Sequence, residues 1–191
     1  MTNVHRFLTI GLAAALVAGC AQSYVSPSVV PAASRMLAEA KSEDLLYVAD
    51  AGLNQVDVYS YPKGVQVGTL TGFDGLAFLC TDKAGDVFVP SYDQSEIFEY
   101  AHGGTSPTAT LDDPYAYPYS CSVDPTTGNL AVVNYQTTSG AGDIAVYAHA
   151  RGQPRIYKPY VANYYYFCAY DDKSDLFVEG DASGSQGTYF A

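Results

Sequence analysis

Cys80, Cys121 and Cys168 each stand two or three residues ahead of an aspartate: Asp82, Asp124 and Asp171. Three regularly spaced thiols invite a metal site. Metal-binding cysteines, however, come in close pairs such as C-x2-C, and this chain has none. The simpler role is a small hydrophobe buried against a neighbouring element. An exported chain also permits disulfides, although three thiols cannot all pair, and the sequence leaves open whether any does. The offset to the aspartate is two residues for Cys80 and three for Cys121 and Cys168, so Cys80 is expected to face differently on its strand. His102 and His149 both follow Tyr-Ala. Neither has a serine, cysteine or acid placed as a triad, and no G-x-S-x-G occurs, so both are expected as solvated turn histidines. The aspartate-led turns lack the alternating acids and distal glutamate of a calcium loop and read as plain turns. No catalytic set or cofactor is predicted.

The other residues suited to chemistry are tyrosines set beside acids and amides. Asp50, Asn54, Tyr92, Asp93, Tyr115, Tyr117, Tyr135, Tyr160, Asn163 and Tyr164 form the candidate binding set. Such a mixture suits a polar, ring-shaped ligand such as a sugar.

These residues must be positioned by strands. From Asp44 onward, short apolar runs alternate with turn signals about every ten residues, which indicates an all-β chain. The layout of Gly75–Ala101 returns at Tyr119–Ala148 and again at Phe167–Gly180, a period in the forties that is typical of blade repeats. Each repeat reads as four antiparallel strands. The inner ones are Leu76–Cys80, Tyr119–Val123 and Tyr166–Tyr170. Second strands fall at Leu45–Val48, Asp86–Val89, Asn129–Val133 and Asp175–Val178, and third strands at Val56–Tyr59, Ile97–Tyr100 and Ile144–Tyr147. The outer ones are Val65–Leu70, Thr108–Leu111 and Arg155–Tyr157. Four such strands describe one propeller blade. Antiparallel connection sends the second-to-third and fourth-to-first loops to one face, where the candidate set gathers with Phe73, Asp74, Asp112, Asp113, Gln136 and Asp181. Short Asp/Gly turns occupy the other face, so a ligand is expected on the first.

The stretch DLLYVADAGLNQVDVYSY resembles the NHL-type repeat of β-propellers, and SVDPTTGNLAVVNY resembles the segment just before it. The likeness covers about residues 44–191 and implies an NHL-like or SMP-30-like propeller. Such propellers include lactonases, lyases and pure binding modules. The SMP-30-like enzymes hold a divalent metal with Glu, Asn and Asp side chains. Glu179, Asn134 and Asp50 fall near the corresponding strand ends here, without a motif that matches residue by residue. The expected fold is therefore a partial propeller of about three and a half blades, an open arc or a fragment of a six- or seven-bladed ring. A half-ring that closes by dimerisation is the rival, and open blade edges favour self-association.

Residues 1–19 read as a signal peptide: a short basic start, the apolar run 7–18, then Leu16-Val17-Ala18-Gly19-Cys20. That ending resembles the lipobox of bacterial lipoproteins, which implies acylation of Cys20 and cleavage before it. Residues 20–43, rich in Pro, Ser and Ala at their start, read as a tether, and 44–191 as the blades. The formal charge of −11, with nine scattered Lys and Arg, argues against nucleic acid or anionic lipid as partners. The expected protein is an extracytoplasmic, membrane-anchored module in the outer membrane or at the cell surface. Its expected partners are the bilayer through Cys20 and a carbohydrate or protein ligand on the loop face. The alternative is a metal-dependent lactonase or lyase.

Overall fold

Short runs rich in Val, Ile, Phe and Tyr, closed by Asp- and Gly-led turns, leave the chain little choice but to form a succession of hairpins. The computed structural model describes residues 33–159 and 161–181, with the backbone of 188–190. The strands are β1 (Arg35–Met36), β2 (Asp44–Asp50), β3 (Gln55–Tyr61), β4 (Gln66–Leu70), β5 (Cys80–Thr81), β6 (Val87–Ser91), β7 (Glu96–Tyr100) and β8 (Pro107–Asp112). They continue as β9 (Ala116–Val123), β10 (Leu130–Thr137), β11 (Gly140–Ala141), β12 (Ile144–Tyr147), β13 (Arg155–Tyr157), β14 (Tyr164–Tyr170), β15 (Leu176–Asp181) and β16 (Thr188–Phe190).

Among the described residues these strands make four antiparallel sheets that follow one another along the chain. The first has the order β1-β4-β3-β2 and the second β5-β6-β7-β8. In the third, β9, β10, β12 and β13 pair in sequence, and β11 extends β10. The fourth is β14-β15-β16. Each is a meander of the blade type, as the repeat predicted, and none closes into a barrel.

The cores lie between sheets. Side chains alternate across a strand, so a strand sandwiched between two sheets is apolar throughout. Thus Val87 and Val89 of β6 pack with Val56, Val58 and Leu70 of the first sheet. Phe88, between them, packs the other way, against Cys121, Leu130 and Val132 of the third. Val133 and Ile144 then meet Tyr165 and Val178 of the fourth.

The turns behave as plain turns. The carboxylates of Asp82, Asp124 and Asp171 each accept main-chain N–H bonds from their own loops, at 2.8–3.3 Å. Gly85 and Gly128 take the positive φ that closes two of these turns, and Ser174 takes it in the third.

The structure corrects three expectations. The inner strand foreseen at Leu76–Cys80 is reduced to a bridge from Leu76 to Ser91 and the short β5. Between them Phe78 turns to pack on Tyr119 and Phe167, at 5.2 and 4.5 Å between ring centroids. Residues 34–43, read as the end of a tether, are part of the first sheet. β1 covers the edge of β4, the Leu37 N–H donates to the Val67 carbonyl at 2.8 Å, and Ala40 is fully buried. An edge strand offers unpaired backbone groups, and this segment satisfies them. His102, finally, is not simply solvated: its Nε2 lies 2.9 Å from the Glu43 carbonyl, so it holds the same segment. His149 is exposed, but its Nδ1 likewise lies 2.8 Å from the Thr127 carbonyl.

Candidate functional site

The face foreseen for a ligand carries a continuous patch of aromatic rings. Tyr92 sits in the loop after β6 and stacks on Tyr117 of β9, with centroids 4.8 Å apart and planes 19° from parallel. Tyr135 of β10 is central. Its ring lies 6.2 Å from Tyr92, 5.6 Å from Tyr119, 4.9 Å from Tyr164 and 5.6 Å from Tyr166. The patch thus runs across the second, third and fourth sheets, and all six of these tyrosines are half-buried. A half-buried ring keeps one polar tip or edge for a ligand while its body packs. Burial pushes the Tyr92 hydroxyl above the ordinary phenol range, with Asp93 and the neighbouring rings adding to it. Burial and Tyr135 do the same for Tyr166. These two hydroxyls are therefore neutral hydrogen-bonding groups at physiological pH, not bases.

Local backbone geometry explains the convergence. Tyr117 and Tyr119 lie two residues apart on β9, as Tyr164 and Tyr166 do on β14. The pairing of β9 with β10 shifts register around Tyr119, and that of β14 with β15 shifts around Tyr166. These equivalent bulges give each ring an extra residue's freedom to turn toward Tyr135.

Of the ten predicted residues, Tyr92, Tyr117, Tyr135 and Tyr164 belong to the patch. Asp93 is exposed beside Tyr92, with its N–H bonded to the Asp74 carbonyl at 3.1 Å. Asp50 caps its own turn through bonds from the Gly52 and Leu53 N–H groups. Asn54 accepts from the Leu76 N–H at 3.1 Å and ties the first sheet to the second. Asn163 links β15 to the loop before β12 through its backbone. Tyr115 is 76% exposed and lines a separate groove, and Tyr160 lies outside the described residues, as do Cys20 and residues 1–19, read from sequence as a signal peptide. Phe73 and Asp113, also placed on the face from sequence, are buried. The patch members not foreseen as site residues are Tyr119, Tyr166, Phe78 and Phe167. The two-residue spacing Tyr117/Tyr119 and Tyr164/Tyr166 was the available signal.

The acids do not assemble into a metal centre of the enzymatic kind: among the described residues no three His, Cys, Asp or Glu side chains converge. Asn134, named for such a set, is buried and donates its amide Nδ2–H to Asp143 Oδ1 at 2.8 Å.

Successive antiparallel sheets of three to five strands, packed face to face, define the fold class as a β-propeller type. The hydrazine synthase of Kuenenia stuttgartiensis has a similar fold, with a TM-score of 0.60 and 13% identity over 78% of this chain and 43% of that one. The Cps50 (Swd1) β-propeller domain of Myceliophteria thermophila is also similar, with a TM-score of 0.54 and 11% identity over 78% and 48% of the two chains. This chain spans less than half the length of either structure, and identities this low speak for the fold alone. No protein-family profile matches the sequence, and no curated protein does.

Proposed function

We propose that this chain is an extracytoplasmic lipoprotein that binds a polar, ring-shaped ligand, such as a carbohydrate, against its tyrosine patch. One observation carries the reading: the stacked Tyr92–Tyr117 pair continues through Tyr135 to Tyr164 across three sheets, on the loop face. Aromatic faces with adjacent hydroxyls receive sugar rings by stacking and edge hydrogen bonds at little entropic cost, because tyrosine has few rotamers to lose. Anchoring through Cys20 follows from the lipobox, and the Cys80–Cys121 disulfide fits an oxidising compartment. The lactonase-type alternative needs Glu179, Asn134 and Asp50 on one ion. Asp50 is committed to its own turn, which favours the binding module.

The test is isothermal titration of the full-length chain in detergent with cellohexaose, chitohexaose and maltohexaose. Saturable heat with at least one of them, weakened tenfold or more by Tyr92→Ala, is expected. No heat with any of the three counts against a carbohydrate ligand.

A further inference from the structure

A buried polar nest on the third sheet is not used by the tyrosine patch. Asn134 stands where β10 and β9 lose register on both sides, between Val133 and Asn134 and between Asn134 and Thr137. Such irregularities re-aim a side chain, and here the amide goes inward. Asn134 is 0% exposed, Asp113 2% and Asp143 4%. Two bonds fix the arrangement: the Asn134 N–H donates to the Asp143 carbonyl at 2.9 Å, and its Nδ2–H donates to Asp143 Oδ1 at 2.8 Å. The reversed amide would oppose two oxygens, one of them charged, so the orientation is determined. Asn134 Oδ1 is consequently left without a hydrogen-bond partner among the described residues, and so is Asp113 Oδ2. Asp113 faces Asn134, Asp143 and Tyr147. Buried oxygens are normally paired, and a buried charge normally has a counter-charge. Among the described residues this nest has an ion pair with Lys158, whose Nζ lies 3.8 Å from Asp143 Oδ2 with half of its side chain in solvent. A groove of about 410 Å³ opens onto Asp113 and Asp143, with Tyr115, Thr137, Ser139 and Lys158 around it.

Two carboxylates and an amide carbonyl form an all-oxygen donor set. That is the chemistry of a hard divalent cation, and of calcium in particular, whose coordination is flexible enough for an irregular loop site. A water molecule would offer donors to the lone oxygens but would leave both negative charges in place. We propose that Asp113, Asn134 and Asp143 form a binding site for calcium or a cation of its kind, reached through the groove beside Tyr115. Asp113 and the Asn134 carbonyl are the ligands with unused oxygens. Asp143 positions Asn134 and supplies the second charge, and Lys158 competes at the mouth.

The full-length chain, stripped with a chelator, is titrated with calcium by calorimetry and separately with terbium, read by tyrosine-sensitised emission. One saturable site is expected, with calcium displacing terbium. Asp113→Asn, checked for native circular dichroism, should weaken binding at least tenfold, while the exposed control Asp172→Asn should leave it unchanged. Should Asp113→Asn fail to fold, Lys158→Gln carries the test: loss of the competing ammonium should tighten binding at least twofold. Absence of saturable binding by the folded wild type overturns the proposal. So do equal losses in Asp113→Asn and Asp172→Asn, or unchanged affinity in Lys158→Gln.

Discussion

Cys80 and Cys121 are joined by a disulfide that bridges the inner strands of two neighbouring sheets, with Cα atoms 5.6 Å apart. The pairing follows from a slip of one residue. Cys80 is opposite Phe88 on its hairpin, whereas Cys121 is opposite Val132. Phe88 and Val132 belong to the same inter-sheet core from opposite sides, so the two sulfurs face each other. Cys168, which keeps the three-residue offset of Cys121, faces back toward the third sheet, with its Sγ 3.8 Å from the Ala131 carbonyl. Had Cys80 shared that offset, it would point to the first sheet, where Leu79 now packs.

The bridge closes a loop with a sequence separation of 41. In the chain-entropy description a loop of that size contributes about 4 kcal/mol, and native disulfides commonly yield 2–4. Cys121→Ser is therefore expected to lower unfolding free energy by roughly 2–4 kcal/mol in urea titration. Cys168 serves as the internal control. Burial pushes its thiol up to about 12, so native protein should resist alkylation there and react only once unfolded.

Asp113 sets a pH dependence. Burial raises its carboxyl from the ordinary 3.8 to about 6; the neighbouring Asp143 adds to the rise, while bonds from Asn134 and Tyr147 oppose it. The folded state therefore holds a proton that the unfolded state has released. Its contribution is fully present below 3.8 and is lost as pH rises through about 6. The gap is worth on the order of 3 kcal/mol. In chelator-containing buffer, Asp113→Asn should gain stability relative to wild type at about pH 7.5, and the difference should shrink toward about pH 4.5. A constant difference across that range would assign the effect to packing.

The outermost sheets leave apolar side chains in water. On β2, Leu46 is 47% exposed and Val48 40%, and on β15 Phe177 is 49% exposed. Each belongs to the face of its sheet opposite the shared core, the kind of surface that neighbouring blades cover in a ring. Self-association is the expected consequence, at about 25 cal/mol gained per Å² of apolar surface covered. Sedimentation should show a concentration-dependent oligomer that Leu46→Lys with Phe177→Lys shifts toward monomer. A wild-type chain that stays monomeric at every concentration would contradict this.

The blade architecture was legible because alternation and turn chemistry act locally. The Asp82, Asp124 and Asp171 turns and the β6 run need only their own residues to be recognised. The loop face was legible for the same reason: antiparallel connection alone sends Tyr92, Tyr117, Tyr135 and Tyr164 to one side. Long-range choices were not. The bulges at Tyr119 and Tyr166 depend on partner strands, and so does the burial of Asp113 against Asn134. Arg35–Met36 forms a strand only because β4 has an edge to cover. The Cys80 offset hinted at a reversed facing, but only the neighbouring sheet shows what it meets.

The proposed binding face is tested most directly by nuclear magnetic resonance on full-length protein with labelled tyrosine rings, titrated with whichever of the three oligosaccharides gives heat. The ring signals of Tyr92, Tyr117, Tyr135 and Tyr164 should shift together and saturate at one affinity. Those of Tyr59 and Tyr157, in the first sheet and on the outer strand of the third, should stay in place. Saturable shifts confined to Tyr59 or Tyr157, with the rings around Tyr135 unmoved, would contradict the assignment of the tyrosine patch as the ligand site.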